Sequence, residues 1–188
     1  MELANWLVAE HDDSVNRLSK QILGVIPVER RREVISGANS IDWTTFHIAR
    51  HARLALRVLG HPTPMSDTLL QGLDPNVSSP DAGLHEVGRP WLEFIESAQI
   101  EAYAFCVLDE VRAFLTKMDA AGGLPMDTLV DTAAGLRAAG IDETDFEWLY
   151  RQWALPHFVL RWALVGHATH HVGELTVIRN QMGLSPFR

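Results

Sequence analysis

The chain has 188 residues, 47% of them hydrophobic and 21% charged, with a formal net charge of −8. That length suits a single domain with a full core, and the acidic balance argues against a nucleic-acid surface, which is built from clustered Lys and Arg. A single cysteine excludes an internal disulfide; with no signal-like opening and no apolar run long enough for a bilayer, the expectation is a cytoplasmic protein without a membrane partner.

Residues 2–23 place Leu3, Leu7, Val15, Leu18 and Ile22 at helical spacing. His11 falls on the same stripe and reads as a core histidine. "ERRRE" at 29–33 is flanked by acid and reads as a solvated face. After Pro27, "SGANS" supplies cap and turn residues for a second helix, "IDWTTFHIARHARLALRVLG", stopped by Gly60 and Pro62. Residues 60–90 carry five prolines and four glycines, which predicts a long connection, with His61 and His85 exposed in it and a lid as its expected role.

A third helix is predicted from Trp91 to about Asp119, with Phe94, Ile95, Ala98, Ala102 and Phe105 along one side and Cys106 as buried filler. "AAGGLP" breaks it. Shorter helices follow near 127–139 and 142–154, with Asp127 and Asp142 as caps, before Pro156 opens a last long segment that runs to about Met182 and stops at Gly183. No stretch alternates apolar and polar residues between hairpin turns, so the fold class is all-α. The pattern predicts one domain over 1–188: a four-helix bundle with a long crossover between helices 2 and 3 and short extra helices before helix 4.

The chemistry concentrates in "GHATHHVGEL" at 166–175. Positions i and i+4 lie nearly above one another on a helix, so His167 and His171 point together, along a stripe with Leu160, Leu164, Leu175 and Ile178. Glu174 keeps to that face, as a ligand or as an outer carboxylate that orients an imidazole. His170 turns partly away and joins Ala163, Gly166 and Gly173, a strip of small residues where another helix could approach. The second helix adds His47 and His51 on its apolar sector, with Arg50, Arg53 and Arg57 opposite; spacing alone does not choose between the two histidines.

Several unpaired imidazoles are costly to bury, and coordination satisfies them together. A polar network of satisfied core histidines is the plainer alternative. The chain has no His-Glu-x-x-His helix and no histidine preceded three residues earlier by Glu, so a two-metal site is not expected. Neutral imidazoles suit zinc first, with nickel or iron also fitting.

"NSIDWTTFHIARH", followed much later by "GHATHHVGEL", resembles the DinB-like family of four-helix metalloproteins across essentially the whole chain. The resemblance implies a divalent metal held by His47, His167 and His171, thereby favouring His47 over His51. Similar proteins often carry Gln where this chain has Glu174. The resemblance further implies a transferase that uses a low-molecular-weight thiol, of the mycothiol, bacillithiol or glutathione type, on small electrophiles, with Glu174 or His170 assisting proton removal.

Two other functions fit the residues: a metal-dependent hydrolase, and a non-catalytic metal-binding stress-response bundle whose apolar faces form a homodimer. Lys20 and Lys117 are the only lysines against many arginines, a composition compatible with a GC-rich bacterial genome.

Overall fold

The computed structural model describes residues 3–73, 84, 92, 94–120 and 130–185. These residues are helical or irregular, with no strand among them, and none of their helices is long and apolar enough to cross a membrane. His85, the proposed cap Asp127 and most of the expected lid lie outside the described residues.

Helix α1 (Leu3–Arg17) runs on into a π-helical stretch, Leu18–Leu23. The predicted stripe is buried at Leu7, Leu18 and Ile22. His11 is buried with it, and its Nε2 lies 2.9 Å from the Leu108 carbonyl, as the core reading expects.

Helix α2 (Ile41–Val58) starts at Ser40, whose hydroxyl accepts the Trp43 backbone N–H and so satisfies one donor of the first turn. It ends before Gly60, whose φ of +77° suits the glycine stop. Packed against α4 (Ser97–Ala120), α5 (Thr132–Ala138), α8 (His167–Gln181) and the π-helical stretch Val159–Gly166, α2 is central. Only Arg53 and Arg57 along it escape full burial.

The arginine sector of α2 therefore faces protein at Arg50 and Arg53, while Arg57 is exposed. Arg50 is buried beside Tyr103, and Arg53 Nε donates to Asp67 Oδ1 at 2.8 Å. Asp67 belongs to a helix the sequence reading missed, α3 (Pro64–Gln71), inside the predicted connection. Pro64, one of the five prolines expected to break this stretch, instead opens the helix, because proline is well tolerated in the first turn, where its missing N–H has no partner to lose. Glu110 of α4 accepts from the Ser66 hydroxyl at 2.6 Å and from the Met65 and Ser66 backbone N–H groups, which fastens α3 to α4.

Three further expectations are corrected. The third long helix begins at Ser97, not Trp91, and buries Ile100, Tyr103, Ala104, Val107, Leu108, Val111 and Leu115. Of the expected stripe Ile95 is buried and Phe105 half-buried, whereas Phe94, Ala98 and Ala102 are exposed: two stripes of this segment obey helical spacing, and the one with the larger side chains faces the core. "ERRRE" is not wholly a solvated face, because Arg31 is buried. It donates to the Leu23 carbonyl and pairs with Glu101, both at 2.7 Å, binding the end of the first helical element to α4. Cys106 is half-buried rather than core filler, and burial, with Glu110 and Asp109 nearby, pushes its thiol pKa up.

Helix α5 is capped by Asp131, whose carboxylate accepts from the Ala134 N–H at 2.8 Å. Asp142 instead closes a turn through Thr144 N, and α6 (Glu147–Gln152) begins later, after Phe146. The last long segment opens at Pro156 as predicted, passing through α7 (Pro156–Phe158) and the π-helical stretch into α8, with Gly183 at φ +82° beyond its end.

At one glycine of α5 two elements meet backbone to backbone: a Cβ on Gly135 would lie 2.9 Å from both Cα and O of Val58. Backbone atoms cannot yield cheaply, so Gly135→Ala is expected to destabilise the fold by about 1–3 kcal/mol. Urea unfolding checks this, with an unchanged midpoint as the contrary result.

Candidate metal centre

Helix α2 carries His47 and His51 one turn apart, and α8 carries His167 and His171 with the same spacing. The two helices pack together with both pairs inward. His47, His51 and His167 are 2%, 5% and 6% exposed, and one ligand nitrogen of each lies within 4.8 Å of the others. The His47 ring centroid is 4.8 Å from those of His51 and His171 and 4.9 Å from that of His167. His51 stacks on His167 at 4.0 Å.

His167 Nε2 and His171 Nε2 are 3.1 Å apart. Two facing imidazole nitrogens at that distance either share one proton or direct their lone pairs at a common ion. Tetrahedral ligands at zinc–nitrogen bond lengths would be separated by about 3.3 Å, which this pair nearly meets.

Burial pushes the imidazole pKa values of His51 and His167 well below the ordinary value, and the neighbouring imidazoles push the same way. The rings are thus held neutral, the form a metal requires. Nδ1 of His51 and Nδ1 of His167 are buried without a hydrogen-bond partner. Buried polar atoms of this kind are costly; with its Nε2 turned to the cluster, His167 carries its proton on that Nδ1 in the metal-binding tautomer. The buried triad His47, His51 and His167 could hold a metal ion.

Four tryptophans surround the cluster: the buried Trp153 meets His51 edge-on at 5.9 Å, and three others face the cavity. Trp43 stacks on His47 at 4.7 Å and 16°, Trp148 lies 6.5 Å from His51, and Trp162 meets His167 edge-on at 6.3 Å. With Asn39, Gln152 and Leu84 they line a cavity of ≈ 640 Å³ that opens onto the histidines. Indole walls limit water at the cluster and strengthen any charge interaction inside it.

Glu174 lies behind His171. Its Oε2 is 2.6 Å from His171 Nδ1, the nitrogen turned away from His167, and its Oε1 is 3.1 Å from His170 Nε2. This is the position of an outer carboxylate that fixes an imidazole's tautomer and orientation. His170, His171 and Glu174 also satisfy the spacing of a second, more exposed ligand group. The His170 side chain is 55% exposed and its ring packs against Trp162 at 6.0 Å.

All the sequence-predicted site residues converge here: His47, His167 and His171 inside, Glu174 and His170 at the edge. His51, which the resemblance set aside, stands among the buried three. Its signal was present in the sequence as the i+4 partner of His47 on the same apolar sector. At Gly166 and Gly173 the strip of small residues does not receive a helix, whereas Ala163 is buried in the core. A Cβ on Gly166 would meet the chain's own Trp162 ring at 2.9 Å, and nothing lies within 4 Å of one on Gly173. His61 is half-buried against Phe114, away from the cluster. No family model, curated protein or solved structure matches this chain, so its own geometry must carry the functional reading.

Proposed function

We propose that this chain is a divalent-metal protein of the DinB-like type, its four long helices arranged as a bundle, and that it transfers a low-molecular-weight thiol to a small electrophile. His47, His167 and His171 hold the ion, zinc first, with nickel or iron admissible. The observation that carries this reading is the convergence of inward histidines from two helices at the base of one cavity.

A bound divalent ion supplies Lewis acidity, which lowers the pKa of a thiol brought to it. The protein's own part is positional. Trp43 and Glu174 fix the rings of His47 and His171, the indoles limit water, and Glu174 with the exposed His170 offers a path by which the thiol proton leaves. Glu174→Gln keeps the shape but removes the charge behind His171. Competition with a chromogenic chelator is expected to show metal affinity reduced about 10–100-fold; wild-type affinity would place Glu174 outside the support of the site.

His51 favours a second reading. With it, four imidazoles could complete a tetrahedral shell, the closed arrangement of a structural rather than a catalytic ion. The chain would then be a non-catalytic metal-binding bundle. The test is turnover of monochlorobimane with mycothiol, bacillithiol or glutathione, metal-loaded and metal-stripped. Thiol-dependent turnover lost on stripping and in His47→Ala supports the transferase. Metal-dependent hydrolysis of ester or amide substrates without any thiol points to a hydrolase. Bound metal without turnover favours the closed site.

A further inference from the structure

His171 presents a different nitrogen on each of its two sides. Nε2 faces His167 Nε2 at 3.1 Å, within the inner cluster, and Nδ1 faces the Glu174 carboxylate at 2.6 Å. The other oxygen of that carboxylate is 3.1 Å from His170 Nε2. One turn of α8 thus sets two imidazole nitrogens and a carboxylate within 4.8 Å of one another at the edge of the cavity.

A histidine–carboxylate pair at i, i+4 on a helix surface is ordinarily satisfied by a proton alone. Two features distinguish this one. Its third donor is the back of a ring whose front belongs to the inner cluster, and the exposed His170 ring has a fixed seat, 6.0 Å from Trp162 and nearly perpendicular to His171 at 5.2 Å. The chain lacks the Glu-x-x-His pattern by which carboxylates join two ions, but a ring with two ligand nitrogens needs no such pattern.

We propose that His170 Nε2, His171 Nδ1 and the Glu174 carboxylate form a second, weaker site for a divalent cation, joined to the first through the His171 ring as an imidazolate bridge. On binding, Nδ1 of His171 gives its proton to solvent and the second ion takes that place, while the first ion stays on Nε2; nothing is oxidised or reduced. Opening the carboxylate contact to the separation of about 3.3 Å between tetrahedral ligands asks only a rotation of Glu174, whose side chain is 50% exposed. The site is weaker because His170 and Glu174 are half in water and because it sets one cation beside another. Nitrogen with carboxylate oxygen suits zinc or copper(II). In a thiol transferase the second ion would occupy both groups of the path by which the proton leaves, so excess metal would inhibit. This inference rests on the reading of the inner cluster as a metal site.

Copper(II) tests it, because two copper(II) ions joined by an imidazolate couple antiferromagnetically and lose EPR intensity, a readout independent of turnover. Equilibrium dialysis of the metal-free protein is expected to show two equivalents bound, the first at full EPR intensity and the second lowering the intensity per copper. His170→Ala, a change at the surface, is expected to keep the first equivalent and its spectrum and to weaken the second by about tenfold or more, since even an outer partner of a ligand is worth 10–100-fold. A second equivalent whose signal simply adds overturns the bridge. A single equivalent, or a second one bound as tightly by His170→Ala as by the wild type, overturns the second site. Each of these leaves the inner site standing, whereas a wild type that binds no copper overturns both.

Discussion

Replacing His47 with alanine is expected to weaken divalent-metal binding by more than about a hundredfold, because even an outer partner of a ligand is worth 10–100-fold. His47 is buried 4.8–4.9 Å, centroid to centroid, from His51, His171 and His167 and is stacked on Trp43, so its loss takes the ring at the centre of the cluster. His167→Ala is expected to be as damaging. His170→Ala should bind the first ion almost as the wild type does, since that ring lies at the surface. His51→Ala distinguishes a three-histidine shell, which keeps most of its affinity, from a four-histidine shell, which does not. Equilibrium dialysis against zinc measures all four variants. His47→Ala and His170→Ala behaving alike would remove the assigned site.

The second large effect is on pH stability of the metal-free protein. Burial lowers the folded-state pKa of His11, His51 and His167 from an ordinary value near 6.5. In the unfolded chain these rings titrate normally, so below about pH 6.5 the unfolded state takes up protons that the folded state refuses. Stability is therefore fully present above that pH and falls as the pH drops, until each folded-state pKa is reached. One such histidine contributes up to about 1.4 kcal/mol per pH unit, and three together roughly 4 kcal/mol per unit. Urea midpoints taken in chelator at several pH values between 7.5 and 5 should fall steeply, and saturating zinc should move the fall to lower pH. A flat profile across that window would mean that the imidazoles are not held neutral in the fold.

Much of the site was legible because histidines repeat at helical spacing within apolar stripes. The i, i+4 pairs in α2 and α8 needed only the helix period to be placed inward, and Ser40, Gly60 and Gly183 marked helix ends with residues whose local chemistry serves that purpose. Ambiguity arose where that chemistry allowed two answers. In α4 two faces satisfied the spacing, and only the packed structure shows that the one carrying Tyr103 and Val107 faces inward. Pro64 could break or begin a helix. The acids flanking Arg31 in its own segment suggested a solvated face, whereas its partner Glu101 lies seventy positions away. The π-helical stretches shift the turn too slightly for apolar spacing to reveal them.

The role of Glu174 depended on distance rather than type. A carboxylate three residues after His171 could have reached into the cluster; instead it lies on the outer side of the ring, with His170 as its second contact. That placement favours orientation of a ligand over membership of the shell.

X-ray absorption at the zinc edge on stoichiometrically loaded protein tests the central claim most directly. The expected result is a shell of nitrogen atoms at about 2.0–2.1 Å with the outer scattering of three or four imidazoles. A shell of oxygen or sulfur without imidazole scattering would contradict it.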